Sequence, residues 1–156
     1  MKKIIVSFFF LLTMFSSTYS QDYNTGIGIR AGFYSGITIK HFISTNTVLE
    51  GIVDTRWRGF QFTGLYEINH QAFDTERWNW YYGIGGHVGF WNGDNTNWGN
   101  SGTNYTVAGI DGILGLEYNI EEIPINIGID WKPAFNIIGY TGFWGDGGAL
   151  SVRYIF

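Results

Sequence analysis

Apolar and polar side chains alternate along most of the chain from Ile27 to Phe156, in eight successive segments. Successive side chains of a β-strand point to opposite faces, so alternation with a period of two predicts strands with one apolar and one polar face. We call the alternate positions that carry the apolar residues of a segment its apolar parity, and the positions between them its polar parity. In the last segment, 147–156, the apolar parity ends on Phe156, and the polar parity includes Arg153. No segment after the first twenty residues shows a convincing helical period, and the pattern therefore predicts an all-β chain.

Charge is confined to one of the two parities. The apolar parity carries no Lys, Arg, Asp or Glu, and His41 is its one member that can become charged. The polar parity carries five basic residues, six acidic residues and many glycines. We predict that the charged residues and His87 form a polar network inside a closed barrel: Arg30, Lys40, Glu50, Asp54, Arg56, Glu67, His87, Asp111, Glu117, Asp130, Lys132 and Arg153.

The alternation alone allows two arrangements, since a soluble barrel or sandwich would bury the apolar parity and a membrane barrel would turn it toward lipid. Three features favour the membrane barrel. The charges are nearly balanced, as a closed interior requires, because an unpaired buried ion is very costly. Aromatic residues lie near the segment ends with aliphatic residues between them, like the two aromatic girdles of lipid-facing walls. The segments are about 9–11 residues long, which is the length that a tilted strand needs to cross a bilayer.

The connections differ between the two ends of the predicted barrel. Two long polar or glycine-rich loops, 92–104 and 136–147, fall at one end, which would face outward from the cell. The turns near 44–47 and 119–124 at the other end are short, although 70–77 forms a longer connection there than outer-membrane barrels usually have. The two long loops are the predicted contact surface for an extracellular ligand.

Residues 1–20 have the three parts of a secretory signal peptide. Lys2 and Lys3 are followed by an apolar run over 4–15 and by small residues that end at Ser20. The run is shorter than the ~20 apolar residues of a membrane-spanning helix, which disfavours a membrane anchor. We therefore predict a signal peptide over 1–20 and one domain over 21–156.

Charge and cysteine content exclude several classes of protein. The net charge of the chain is −4, and it becomes −6 for 21–156, because the signal peptide contains two lysines and no acid. Nucleic-acid binding usually requires a basic patch, so we predict no nucleic-acid partner. The chain contains no cysteine, which excludes both a lipid anchor through cysteine and a disulfide scaffold.

The signal peptide, the eight amphipathic strands and the terminal residues 154–156, Tyr-Ile-Phe, resemble the small outer-membrane β-barrel proteins, the group of the OmpA transmembrane domain and OmpX. The resemblance covers 21–156. It implies an eight-stranded antiparallel transmembrane up-and-down β-barrel in the outer membrane of a Gram-negative bacterium, in contact with lipid. It also implies a monomer whose last strand, ending at Phe156, is recognised by the barrel-assembly machinery. The group has structural, adhesive and enzymatic members, so the resemblance leaves the activity open.

Few residues suggest catalysis or metal binding. His87 and Asp111 share a parity on neighbouring segments and could act as a base and its orienting acid, but a hydrogen-bonded polar interior explains them better. His41 has no serine two residues later and no paired acid, so we interpret it as a histidine at the membrane interface. Asp94 lies among three asparagines whose order matches no calcium loop.

We therefore predict no catalytic residue, no cofactor and no metal site. The leading hypothesis is a protein with a structural or surface-interaction role and a filled, polar lumen. The alternatives are a porin-like transport protein for small solutes and a lipid-modifying outer-membrane enzyme.

Overall fold

The computed structural model of the chain describes residues 24–73 and 75–156, so the predicted signal peptide lies outside the described residues. Among these residues, no helical segment has the length and hydropathy of a membrane-spanning helix. A single 3-10 turn, Gly93–Asn95, accompanies the strands in the part of the chain that is described. The strands are β1 (Thr25–Gly32), β2 (Ser35–Phe42), β3 (Thr47–Arg56), β4 (Gly59–Ala72), β5 (Thr75–Asn92), β6 (Asn104–Ile120), β7 (Ile125–Trp131), β8 (Ala134–Ile138), β9 (Gly142–Trp144) and β10 (Gly148–Ile155).

The strands close into an antiparallel ring in which β1 to β6 each pair with the next strand along the chain, and β10 pairs with β1. Ten elements make eight wall strands, because β7 and β8 both pair with β6 and follow one another along the same line. Pro133 lies at the break between them, where its missing N–H cannot contribute to the ladder. The elements β9 and β10 likewise form one wall strand, since β9 pairs with β8 and β10 with β7. The predicted eight-stranded antiparallel up-and-down barrel is confirmed.

The barrel has two distinct ends. At the termini end, Thr25 and Phe156 exchange backbone hydrogen bonds of 2.9 and 2.8 Å, and the β2–β3, β4–β5 and β6–β7 turns lie there. The loop end carries the β1–β2 and β3–β4 turns, the β5–β6 loop over 93–103 and the connections on either side of β9. In the β3–β4 turn Trp57 and Arg58 both have positive φ, 50° and 58°, the geometry of a type I′ hairpin turn.

Two predicted connections are wrong in extent. The segment 70–77 is mostly strand, because β4 continues to Ala72 and β5 starts at Thr75, so only a tight turn lies between them. The segment 136–147 contains the end of β8 and all of β9, which leaves two short connections instead of one long loop. In both segments the backbone finds ladder partners on a neighbouring strand, and this pairing is invisible in the hydropathy pattern.

The two faces of the wall have opposite character. The outward face consists of large apolar side chains, of which Ile84, with 73 % of its surface exposed, is an extreme. The inward face buries charged side chains completely, as at Lys40, which has 0 % exposure. Because side chains alternate along each strand, the same strands that present an apolar surface outside enclose ions inside.

Candidate functional site in the barrel interior

The twelve residues predicted to form a polar network lie on the inward face of the barrel. Eleven of them are buried, and the twelfth, Arg56, lies at the loop end with 13 % of its side chain exposed. They form two ion clusters that both contact Tyr81, and Arg56 belongs to a third group. The buried residues include four Lys or Arg side chains against six carboxyl groups, so two carboxyl groups have no Lys or Arg of their own.

The first ion cluster lies toward the termini end. Lys40 on β2 reaches across the lumen, and its Nζ lies 3.1 Å from Oε2 of both Glu67 and Glu117. Arg153 on β10 donates to Glu50 on β3 at 2.7 Å, and Thr38 donates to the same carboxylate. Buried ions are tolerated only when they are paired and hydrogen-bonded. The cluster therefore joins β2, β3, β4, β6 and β10 across the inside of the barrel.

The second ion cluster lies toward the loop end. Lys132 Nζ lies 3.0 Å from Oδ1 of Asp111, whose Oδ2 is 2.8 Å from Nδ1 of His87. Arg30 pairs with Asp130 in the same region. Asp54 is buried within electrostatic reach of Arg30 and Lys132, although neither of its oxygens accepts a hydrogen bond from the described residues.

His87 and Asp111, the candidate base and acid, are in direct contact, but the geometry does not suit catalysis. The second ring nitrogen of His87, Nε2, lies 2.9 Å from Oδ1 of Asn136, so both nitrogens are engaged. The ring is buried, and no Ser or Thr hydroxyl in the described part of the chain is hydrogen-bonded to it. A general base needs a free nitrogen beside the proton that it accepts. The pair therefore acts here as part of the packed interior.

An apolar layer lies on the β3 to β6 side of the lumen, beside the two ion clusters. Ile52, Leu65, Tyr81 and Ile113 pack together and are buried. The Tyr81 ring lies 3.5 Å from Nζ of Lys40, and its hydroxyl lies 3.3 Å from Oδ2 of Asp130. Tyr81 thus contacts one ion cluster with the face of its ring and the other with its hydroxyl. Sequence reasoning missed this layer, because isolated apolar residues on a polar parity carry no periodic signal.

Aromatic side chains fill the loop end of the barrel. Trp144 on β9 points inward and packs edge-on against Trp91 at a centroid distance of 5.5 Å. Trp98 in the β5–β6 loop stacks on Tyr140 at 4.5 Å. We call this group the aromatic plug, and its members are Tyr34, Trp57, Trp91, Trp98, Tyr105, Tyr140 and Trp144.

Arg56 joins the aromatic plug to a loop carboxylate. Its guanidinium lies 3.9 Å from the Trp57 ring centre and 4.8 Å from that of Tyr34. The same group donates two hydrogen bonds to Asp146, at 2.9 and 2.5 Å, which is the fork geometry typical of arginine and carboxylate. These hydrogen bonds hold the pKa of Asp146 below its ordinary value. Burial raises the pKa of the Tyr34 hydroxyl, which therefore stays protonated.

The asparagine-rich β5–β6 loop is organised by its own side chains. Asn92 accepts a hydrogen bond from the backbone N–H of Asp94 at 2.8 Å and so caps the 3-10 turn. Asp94 accepts from the Ser101 hydroxyl and from the Gly102 N–H, and these bonds lower the pKa of its carboxyl group. No group of three or more His, Cys, Asp or Glu side chains in the described ranges is arranged to hold a metal ion.

On the outer wall, His41 has a hydroxyl partner that the sequence did not reveal. Its Nδ1 lies 2.8 Å from Oγ1 of Thr25, the residue opposite it on β1. Finding this partner required the register of two strands, because the two residues are sixteen positions apart along the chain.

No protein-family model and no curated protein sequence matches this chain.

Proposed function

We propose that this chain is an integral outer-membrane β-barrel protein of a Gram-negative bacterium with a structural or surface-interaction role. The single observation that carries the proposal is the inverted distribution of polarity, with large apolar side chains covering the outside and ions filling the inside. A water-soluble protein of this size rarely exposes a contiguous apolar surface larger than a few hundred Å². Lipid is the solvent in which such a wall is stable, and in the closed ring every described strand except the short β9 is paired on both sides.

The distribution of aromatic residues supports this orientation in a bilayer. Exposed aromatic side chains near the loop end include Phe33, Phe60 and Phe143. Near the termini end, Tyr154 and Phe156 are exposed, as are Trp80 and Tyr82, which stack on one another and on His70. Aromatic rings of this kind prefer the two membrane–water interfaces.

The packed interior favours a structural or surface role over transport. The ion clusters join opposite walls, the Tyr81 layer packs against both of them, and the aromatic plug covers the loop end. A small solute would have to break several buried ion pairs to pass. The accessible parts of the loop end are the β5–β6 loop and the connections around β9, and we propose that any extracellular ligand is bound there.

A lipid-modifying activity is the second candidate, and one observation favours it. The Thr25 hydroxyl and the His41 imidazole form a hydrogen-bonded pair on the exposed wall, and such a pair is the core of many acyl-transfer sites. A phospholipid-hydrolysis assay that compares Thr25→Val with the unmodified protein tests this activity. Retained hydrolysis in the variant, or none in the unmodified protein, would remove this candidate.

The membrane assignment is tested by fractionation of cells that express the full chain. We expect the protein in the outer-membrane fraction after carbonate extraction, because its apolar wall has no stable state in water. We also expect different gel mobilities before and after boiling, since a closed barrel resists detergent. Recovery of the protein in the soluble periplasmic fraction would overturn the proposal.

A further inference from the structure

A cavity of about 310 Å³ lies at the termini end of the barrel. Most of its lining is amide or hydroxyl: Thr45, Asn46, Asn69, Gln71 and Asn79. Thr45 and Asn46 belong to the β2–β3 turn, whereas Gln71 and Asn79 face each other across β4 and β5. The cavity therefore lies at the mouth of the lumen, beyond the first ion cluster, and at the opposite end from the aromatic plug.

None of the described residues that line the cavity is Lys, Arg, Asp or Glu. An amide side chain offers one acceptor oxygen and two N–H donors, so it can pair with a hydroxyl group in either direction. The volume is at the small end of the ~300–1,000 Å³ that small-molecule sites span. The lining thus suits a small ligand that is rich in hydroxyl groups and carries no charge.

Asn69 connects the cavity to the buried ions. Its Nδ2 donates to Oε1 of Glu117 at 2.8 Å, and Glu117 is itself held by Lys40. This bond fixes the orientation of the amide. Asn69 is only 6 % exposed, yet its Oδ1 accepts no hydrogen bond from the described residues. A buried acceptor without a partner is costly, and a hydroxyl group of a bound ligand would satisfy it.

We infer that this cavity is a binding site for a neutral saccharide. An anion would lie close to the Glu117 carboxylate, which is itself already engaged by Lys40 and Asn69, and no Lys, Arg, Asp or Glu side chain of the lining would pair with an anion or a cation. A charged ligand would therefore lose hydration without compensation. Phe42 and His70 complete the lining, and the Phe42 ring is an apolar surface against which the C–H face of a sugar can pack. An extended peptide is disfavoured, because it would need an unpaired strand edge, and the strands around the cavity, β2 to β5, are paired on both sides.

The test uses the purified, folded full chain in detergent micelles, titrated by calorimetry. The neutral probes are glucose, galactose and N-acetylglucosamine, and their charged counterparts are glucosamine and glucuronate. We expect saturable binding of at least one neutral sugar and at least tenfold weaker binding of both charged sugars. Failure of all three neutral sugars to bind, or equal binding of a charged sugar, would overturn the inference. Binding of triglycine in place of the sugars would also overturn it, in favour of a peptide ligand.

Matched variants locate the binding site. Gln71→Leu and Asn79→Leu each remove one amide with little change in size, and each should weaken binding about three- to tenfold. Asn97→Leu makes the same change in the β5–β6 loop at the far end and should leave binding unchanged. The gel mobility of unboiled samples shows that each variant is folded. Unaltered binding in both cavity variants would refute the assignment. Because binding is measured in micelles, the result stands apart from the membrane assignment.

Discussion

Tyr81 lies directly over Gly115 inside the barrel, so closely that a Cβ at position 115 would be 2.3 Å from Cζ of the tyrosine ring. Because Gly115 has no side chain, the Tyr81 ring can lie here and contact Lys40 in one ion cluster and Asp130 in the other. Gly115→Ala should displace the ring from Lys40 and Asp130, and we expect a loss of about 1–3 kcal/mol in the free energy of unfolding. Urea unfolding of the refolded barrel in lipid vesicles measures this loss of free energy.

The control for this change is Gly64→Ala on the outward face, where an added Cβ meets no atom within 4 Å. This variant should unfold like the unmodified protein. Equal stability of the Gly115→Ala variant would mean that the Tyr81 layer does not depend on the missing side chain.

A second prediction concerns Lys40. Lys40→Met leaves Glu67 and Glu117 buried without their shared cation, and removing one partner of a buried ion pair typically costs ~3–5 kcal/mol. The same unfolding measurement should show this loss, and Glu117→Gln in the Lys40→Met background should restore part of it. If the double variant is no more stable than the single one, the ion cluster is not the source of the effect.

The contact between Arg56 and Asp146 predicts a dependence on pH at the loop end. The folded state holds the pKa of Asp146 below its ordinary value of 3.8. The contribution of the Arg56–Asp146 ion pair to stability is therefore complete at a pH above the ordinary pKa of Asp146. It is lost as the pH falls through the lower pKa of the folded state. Tryptophan fluorescence should report loosening of the aromatic plug below about pH 4. Asp146→Asn should abolish this change, and an identical transition in that variant would assign it to another group.

Charges placed on the outer wall should impair assembly if that wall faces lipid. Ile127→Arg and Leu114→Arg put a cation on the outward, exposed face of the barrel. Each should cost ~2–4 kcal/mol if the residue lies near the bilayer midplane, and the yield of heat-modifiable barrel should fall. Asn97→Arg in the β5–β6 loop should be nearly silent. Similar yields for all three variants would contradict a lipid-facing wall.

The filled interior predicts that the barrel carries no steady current. Eight strands enclose an interior just wide enough for side chains to fill, and here ion pairs and aromatic rings occupy it. Purified protein in a planar bilayer should show no porin-like conductance. A large and stable conductance would contradict this interpretation and favour the transport hypothesis.

Much of the wall could be predicted from the sequence, because every strand separates two different environments and the side chains alternate accordingly. The ends of the strands were harder to predict. The lengths of β4 and β5 near Ala72 and Thr75 depend on cross-strand hydrogen bonds rather than on hydropathy. The pairing of Thr25 with His41 and the Tyr81 layer depend on register and depth, which a single sequence does not contain.

The antiparallel pairing of β1 with β10, in which Ile27 lies opposite Tyr154, also has a kinetic consequence. This contact joins the first and last described strands, so the ring cannot close locally, and structures dominated by such distant contacts form slowly. Until it closes, β1 and β7 each present an edge of unpaired backbone groups that can join another chain. The nascent protein therefore passes through an aggregation-prone stage whose duration is set by the arrival of β10.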